Sequence, residues 1–176
     1  MQHTRVFLLG FMGSGKTYTG RRLASRLGYT FTDLDALIVQ RERRSIPDIF
    51  AKSGEDTFRQ LEREALEATK HLEQAVISCG GGTPCFFDNM AWINQHGLSV
   101  YLHTTPEVIQ TRLRRGQQRR PLIKGMNDSE LQEFIGRMIE IRKPYYQQAM
   151  VEVYQQSDEE DMAAIIHEHL LDITGH

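Results

Sequence analysis

The chain has 176 residues, enough for one domain whose core needs no metal or disulfide staple. It is 40% hydrophobic and 25% charged, which sets aside the disordered and fibrous classes. A net charge of -2 argues against nucleic acid or a membrane surface as the main partner.

Val6-Phe7-Leu8-Leu9 is a continuous apolar run ending at Gly10, as in a strand buried on both faces. A helix follows to Leu27, with Leu23, Ala24 and Leu27 on one face and Gly28 as its stop. Tyr29 to Thr32 reads as a second strand. Ser45 before Ile46-Pro47 starts a short helix that Gly54 ends, and Glu55 to His71 is a longer one with Phe58, Leu61, Ala65 and Leu66 inward. Ala75 to Cys79 is the third strand and runs into Gly80-Gly81-Gly82. Asp88 caps a helix that Gly97 terminates, and Leu98 to Leu102 is the fourth strand. Thr105-Pro106-Glu107 opens the next helix. Arg114 to Asp128 is basic and aperiodic. Ser129 caps a helix reaching about Tyr146, Val151 to Tyr154 is a fifth strand, and Asp158 caps a last helix ending near Leu171. Strands alternating with helices give an α/β architecture with a parallel sheet and helices on both faces, and ligands at the carboxyl ends of the strands.

Gly10-Phe11-Met12-Gly13-Ser14-Gly15-Lys16-Thr17 matches G-x-x-x-x-G-K-[ST] after a strand and before a helix. Glycines let successive amides point at phosphate oxygens, and the helix N-terminus adds its positive end. Lys16 reaches the β- and γ-phosphates, and the Thr17 hydroxyl ligates Mg²⁺. A chance match in average composition is on the order of one in a hundred or less. The Asn-Lys-x-Asp motif of a GTPase is absent, so the rest of the chain decides what receives the phosphoryl group.

Asp33-Leu34-Asp35 places two carboxylates in a loop at the nucleotide edge of the sheet. One could hold Mg²⁺ through water and the other accept a substrate hydroxyl; the plainer reading is a helix cap for Ala36-Leu37-Ile38. Spacing alone pairs Arg59 with Glu55 or Glu62 on a helix flank. Three glycines in a row are best explained by something pressing on bare backbone. Arg112, Arg114, Arg115, Arg119, Arg120 and Lys124 form a basic stretch able to fold over phosphates as a lid, since arginine's planar fork grips phosphate oxygens in pairs. Cys79 and Cys85 are too few for a disulfide framework and read as buried, reduced bystanders. No run approaches the ~20 apolar residues of a membrane span. The opening Met1-Gln2-His3-Thr4-Arg5 lacks a signal-peptide core, so the expected location is cytoplasmic. The histidines show no zinc-ligand spacing, and Trp92 and Met12 read as packing residues.

With these residues in hand, the chain resembles the shikimate kinase family over essentially its whole length. The P-loop, Asp33-Leu34-Asp35, Gly54-Glu55 through Phe58-Arg59 and Glu62, the glycine triplet, Arg120-Pro121-Leu122 and Arg142-Lys143-Pro144-Tyr145-Tyr146 stand in that family's order and spacing. The resemblance implies a three-layer α/β/α P-loop kinase fold with a five-stranded parallel sheet and a mobile lid. One kinase domain would span 1–176, with substrate bound at about 33–62 and a lid at about 112–128. It implies ATP and Mg²⁺, with Gly13, Ser14, Gly15, Lys16, Thr17, Tyr18 and Arg120 on the nucleotide and Thr17 and, through water, Asp33 on the metal. Asp35 would bind the substrate's hydroxyls and take the proton of the attacking one; Arg59 and Arg142 would clamp its carboxylate beside the Gly81 backbone; Lys16, Asp35 and Arg120 would be catalytic. The expected partner is shikimate alone, with no nucleic acid or membrane, bound by a monomer.

Departures from the family pattern are Arg43-Arg44, where a glycine is usual, and Val153-Tyr154-Gln155 in place of Val-Asp-Thr, which leaves the adenine contacts open. Arg114 and Arg115 are both candidates to stack on adenine. Gluconate and nucleoside-monophosphate kinases share the P-loop, lid and sheet but do not require Arg59 paired with Arg142 around an acidic pair. The intact Lys16, Thr17, Asp33, Asp35 and Arg120 speak against a binding-only nucleotide switch.

Overall fold

The structure, a computed structural model, describes residues 5–120 and 122–174, with main chain only at 119, 173 and 174. The opening segment Met1 to Thr4, the Arg119 side chain and Pro121 of the expected lid motif lie outside the described residues.

Five strands, β1 (Arg5–Leu9), β2 (Thr30–Asp33), β3 (Ala75–Ser78), β4 (Leu98–Thr104) and β5 (Val151–Gln155), form one sheet in the order β2-β3-β1-β4-β5. Every pairing is parallel. Period-two alternation in β1 explains why both faces are covered. Phe7 and Leu9 pack with Leu34, Ile49, Phe58, Leu66 and Ile93 on one side, while Val6 and Leu8 pack with Leu23, Ala24, Met162 and Ile166 on the other. The first layer comprises α2 (Leu34–Glu42), α3 (Ile46–Ala68) and α4 (Asn89–His96); the second comprises α1 (Lys16–Leu27) and α7 (Met162–Thr174). A smaller cluster of Phe11, Ile109, Leu113, Ile123, Leu131 and Ile135 ties the P-loop to α5 (Pro106–Arg114) and α6 (Asp128–Tyr146). The sheet is the expected α/β/α sandwich. Because β1 sits between β3 and β4, chain connections diverge at its carboxyl end, where a crevice must open.

Boundaries differ from expectation in instructive places. Asp33 and Asp35 are not in a loop: Asp33 caps α2 by accepting from the Asp35 and Ala36 amides, and Asp35 lies in the first turn. Helix α6 begins from Asn127, whose side chain and Glu130 form a capping box, not from Ser129. The last helix starts at Met162, not after Asp158, and Asp161 accepts from the Ala164 amide. Arg112 to Arg114 of the expected lid are helical, the end of α5. Gly54 does divide α3, with φ 80 and ψ 172 that interrupt the helical path. Arg43, standing where glycine is usual, adopts the left-handed φ 54 and ψ 30 that closes α2. Thr105 occupies the N-cap position of α5 without a side-chain bond.

Candidate active site

The P-loop curves because Gly13 and Gly15 take φ of 82 and 88, which only glycine adopts freely. Ser14 is buried inside the loop, and its amide donates to the Phe11 carbonyl at 3.1 Å. The Lys16 Nζ is folded back, donating to the Gly10 and Phe11 carbonyls at 2.8 and 2.9 Å. Burial brings its pKa down to about 8, against the opposing pull of Asp35, Cys79 and Asp33. The Thr17 hydroxyl donates to Asp33 Oδ2 at 2.7 Å, so the two expected metal-side residues face each other.

Asp35 points into the same crevice. Burial, with Asp33 and Glu62 close by, pushes its carboxyl up to about 6, against the pull of Lys16 and Arg59. The glycine triplet explains how so many charges approach one corner. A Cβ on Gly80 would lie 2.6 Å from Glu62 Oε1, one on Gly81 3.1 Å from Arg142 Nη1, and one on Gly82 2.6 Å from Arg59 Nη1. Each glycine therefore makes room for a different side chain, and the segment is a tight turn as well, closed by the Thr83 amide donating to the Gly80 carbonyl at 3.1 Å.

Arg59 satisfies both readings of its position. Nη1 donates to Glu62 at 2.9 Å and Nη2 to Glu55 at 3.0 Å, while the guanidinium lies 4.0 Å from the Phe86 ring centroid at the wall of the crevice. Glu62 is 1% exposed and also accepts from the Thr83 hydroxyl at 2.5 Å. Thr83 is placed in turn by Asn89, which donates to its carbonyl at 2.8 Å. Arg142 stands opposite, with its guanidinium 5.4 Å from the Phe11 ring centroid. Among the described residues it has no salt bridge.

These groups line two adjoining clefts. A nucleotide-side cleft of about 460 Å³ includes Gly13, Gly15, Lys16, Thr17, Tyr18, Asp33 and Arg112. A second, of about 300 Å³, includes Ile46, Phe50, Phe58, Arg59, Glu62, Gly82, Leu122 and Arg142. Both are bounded by Met12, Asp35, Gly80, Gly81 and Arg120, and both fall within the size range of small-molecule sites. Every expected site residue thus lies at these clefts except Ser14, which is interior to the loop it shapes.

A third cleft continues past Tyr18 and Thr19 to Arg115, Gln155, Asp158, Met162 and Ala163. Arg115 lines it, whereas Arg114 is engaged with Asp128 at 2.7 Å. The basic stretch is therefore not one patch. Arg112 bridges Asp158 at 2.6 Å and the Gly13 carbonyl at 3.1 Å, Arg120 reaches toward the Leu113 carbonyl at 3.4 Å, and Lys124 is exposed. Gln117 braces the segment by donating to the Ile123 and Met126 carbonyls at 2.9 and 2.7 Å.

Sequence reasoning placed Arg112 in the lid but missed its bonds to Asp158 and the Gly13 carbonyl, and it paired Glu62 with Arg59 but missed the Thr83 hydroxyl. It also missed the structural role of Tyr146 and the position of Met12, which packs in the core yet also walls both clefts. Of the two free cysteines Cys79 is buried, as expected, whereas Cys85 is only half-buried.

A sequence model of the shikimate kinase family matches residues 12–173. The shikimate kinase of Bacteroides fragilis is 45% identical over 145 residues, covering 82% of this chain and 81% of that one. That of Chlorobium luteolum is 38% identical over 172 residues, 95% of this chain and 84% of that one. The crystal structure of shikimate kinase from Bacteroides thetaiotaomicron superposes with a TM-score of 0.90 at 38% identity, covering 98% of this chain and 99% of that one. A shikimate kinase from Acinetobacter baumannii, solved in complex with shikimate, gives 0.86 at 30% identity, covering 98% and 94%. Fold and relatives agree, and the chain belongs to the shikimate kinase family.

Proposed function

We infer that the chain transfers the γ-phosphoryl group of ATP to a hydroxyl of shikimate, giving shikimate 3-phosphate and ADP on the route to chorismate and the aromatic amino acids. The observation that carries this reading is the shared wall of Met12, Asp35, Gly80, Gly81 and Arg120 between a phosphate cradle and a pocket holding two guanidiniums.

The P-loop amides and Lys16 hold the β- and γ-phosphates, with Lys16 leaving its loop carbonyls to do so. Tyr18 and Arg115 flank the base. The Thr17 hydroxyl and the Asp33 carboxylate, a pair of hard oxygen donors beside the cradle, would hold a Mg²⁺ ion, Asp33 through water. When bound, the ion draws negative charge from the phosphate oxygens. Arg59 and Arg142 hold the shikimate carboxylate, one from each side of the glycine corner. Asp35 accepts the hydrogen of the reacting hydroxyl. A carboxyl near 6 is mostly ionised at neutral pH yet basic enough to take that proton as the bond to phosphorus forms. Arg120 stabilises the charge on the group in transit, so the reaction needs positioning and neutralisation more than covalent help.

On this reading residues 1–176 act as one kinase domain, with 33–62 binding substrate. The stretch around Arg120 and Leu122 closes as a lid and excludes water. Both clefts are complete within one chain, which supports a monomer, and free Cys79 and Cys85 support a cytoplasmic setting. The test is ADP release from Mg·ATP with shikimate, gluconate, AMP or no acceptor. Turnover with shikimate alone is expected. Shikimate no better than the blank overturns the acceptor, and activity with gluconate or AMP reassigns it.

A further inference from the structure

Tyr146, the last residue of α6, is fully buried and donates its hydroxyl to the Gly81 carbonyl at 2.5 Å, a contact spanning 65 residues of sequence. It lies one helical turn after Arg142, on the same face. The Arg142 charge pulls against the upward push that burial gives its phenol, so the two side chains sense each other directly. Tyr101 of β4 stacks behind the Tyr146 ring, with centroids 5.0 Å apart and planes at 28°. His103 stacks on Tyr101 in turn at 5.3 Å, and its Nδ1 is fixed by Glu152 at 2.7 Å.

The consequence is mechanical. Gly81 has no side chain to lock its backbone, and its neighbours Gly80 and Gly82 have none either. The peptide plane is rigid, so holding the Gly81 carbonyl also fixes the direction of the Gly82 N–H on its opposite side. Among the described residues Tyr146 is the only side chain that hydrogen-bonds the backbone of Gly81. The Arg142 guanidinium stands against the same glycine, where a Cβ on Gly81 would lie 3.1 Å from its Nη1.

We propose that Tyr146 is a positioning residue for the carboxylate of the acceptor: its hydroxyl pins the glycine corner to α6 at the spacing that lets Arg142 and the Gly82 N–H of that corner grip one carboxylate together. The proposal deepens the functional reading above and rests on it. It assigns Tyr146 to recognition of the acceptor's negative charge, and to neither nucleotide binding nor the transfer step.

The experiment compares Tyr146→Phe with wild type on shikimate and on its methyl ester, which lacks the negative charge, with ATP kinetics and thermal midpoint measured alongside. Losing one buried hydrogen bond predicts a KM for shikimate raised about tenfold. The KM for ATP and the acceptor-free ATP hydrolysis stay within about twofold, since one loop corner is altered and the cradle is not. The preference for acid over ester in kcat/KM falls several-fold, which a merely structural loss would leave unchanged. An unaltered KM and an unaltered preference overturn the proposal, as does an equal rise in KM for both ATP and shikimate. Tyr101→Leu, which removes the backing ring and keeps the hydroxyl, is expected to give the same pattern at smaller amplitude, and its failure to do so counts against the proposal if Tyr146→Phe cannot be folded. A wild-type chain inert toward shikimate overturns the parent reading and this one together, whereas an active wild type with an indifferent variant overturns this one alone.

Discussion

Arg59 and Arg142 face each other across one small cleft and are held in opposite ways. Arg59 is embedded in charge, bonded to Glu55 and Glu62 and backed through Glu62 by Thr83 and Asn89. Arg142 is held by neutral groups, the Phe11 ring, the glycine corner and Tyr146, and among the described residues it pairs with no carboxylate. On the proposed reading the two guanidiniums would do different work: Arg59 would offer directed donors on a charge that its own neighbours have largely neutralised, and Arg142 would bring the uncompensated charge. The difference also separates stability from binding, because removing Arg59 strands Glu62 at 1% exposure, whereas removing Arg142 strands nothing.

The largest effect that would sharpen this contrast is Arg142→Met. It is expected to lower kcat/KM for shikimate about 1,000-fold, as when one member of a desolvated ion pair is lost, and to leave the thermal midpoint near that of wild type. Arg59→Met is expected to cost less in kcat/KM, about 100-fold, and to destabilise the fold by about 3 kcal/mol through the orphaned Glu62, read by denaturant unfolding. Equal stability losses in the two variants would break the comparison.

A pH series comes next. With Asp35 near 6, kcat/KM for shikimate should fall about tenfold per pH unit below that value. Arg59 is among the groups that pull Asp35 down, so Arg59→Met should move the acid limb to higher pH, and Arg142→Met should move it less. The same shift has a stability signature. Asp35 titrates higher in the fold than its ordinary 3.8, so its contribution to stability is fully present below 3.8 and is lost as pH rises through about 6. Asp35→Asn should therefore be more stable than wild type at pH 8 by about 3 kcal/mol, with the gap closing by about pH 4, while losing activity throughout. The smallest effect is expected from Glu55→Gln. Glu55 is 56% exposed, and its bond to Arg59 at 3.0 Å is a solvent-screened pair, so kcat/KM should change by about twofold or less.

What could be read from the sequence follows the range of the interactions involved. The P-loop was legible because its function is written in backbone conformation, which glycine spacing exposes directly. Gly54 and the glycine triplet were legible for the same reason. Helix α2 was legible only as the capped start at Ala36-Leu37-Ile38, because just Leu34 and Ile38 of it are buried, too few to mark a period or an end. The starts of α6 and α7 slipped because Asn127-Asp128-Ser129 and Ser157 to Asp161 each offer several cap-forming side chains in succession, and packing elsewhere chooses among them. Glu62 and Tyr146 acquire their roles from partners 21 and 65 residues away, which no local pattern carries. The division of labour between the two arginines was invisible for that reason, although both residues were identified.

Lys16 has one more consequence. Its ammonium already grips the Gly10 and Phe11 carbonyls, so the loop is curved before any phosphate arrives. Nucleotide entry is then a ligand substitution at a finished socket, in which one set of oxygens replaces another around the same cation. Association should accordingly show no slow ordering of this loop, leaving lid closure as the later phase, and the measured affinity reports the difference between phosphate and carbonyl as partners for that lysine, not the whole strength of its grip on ATP.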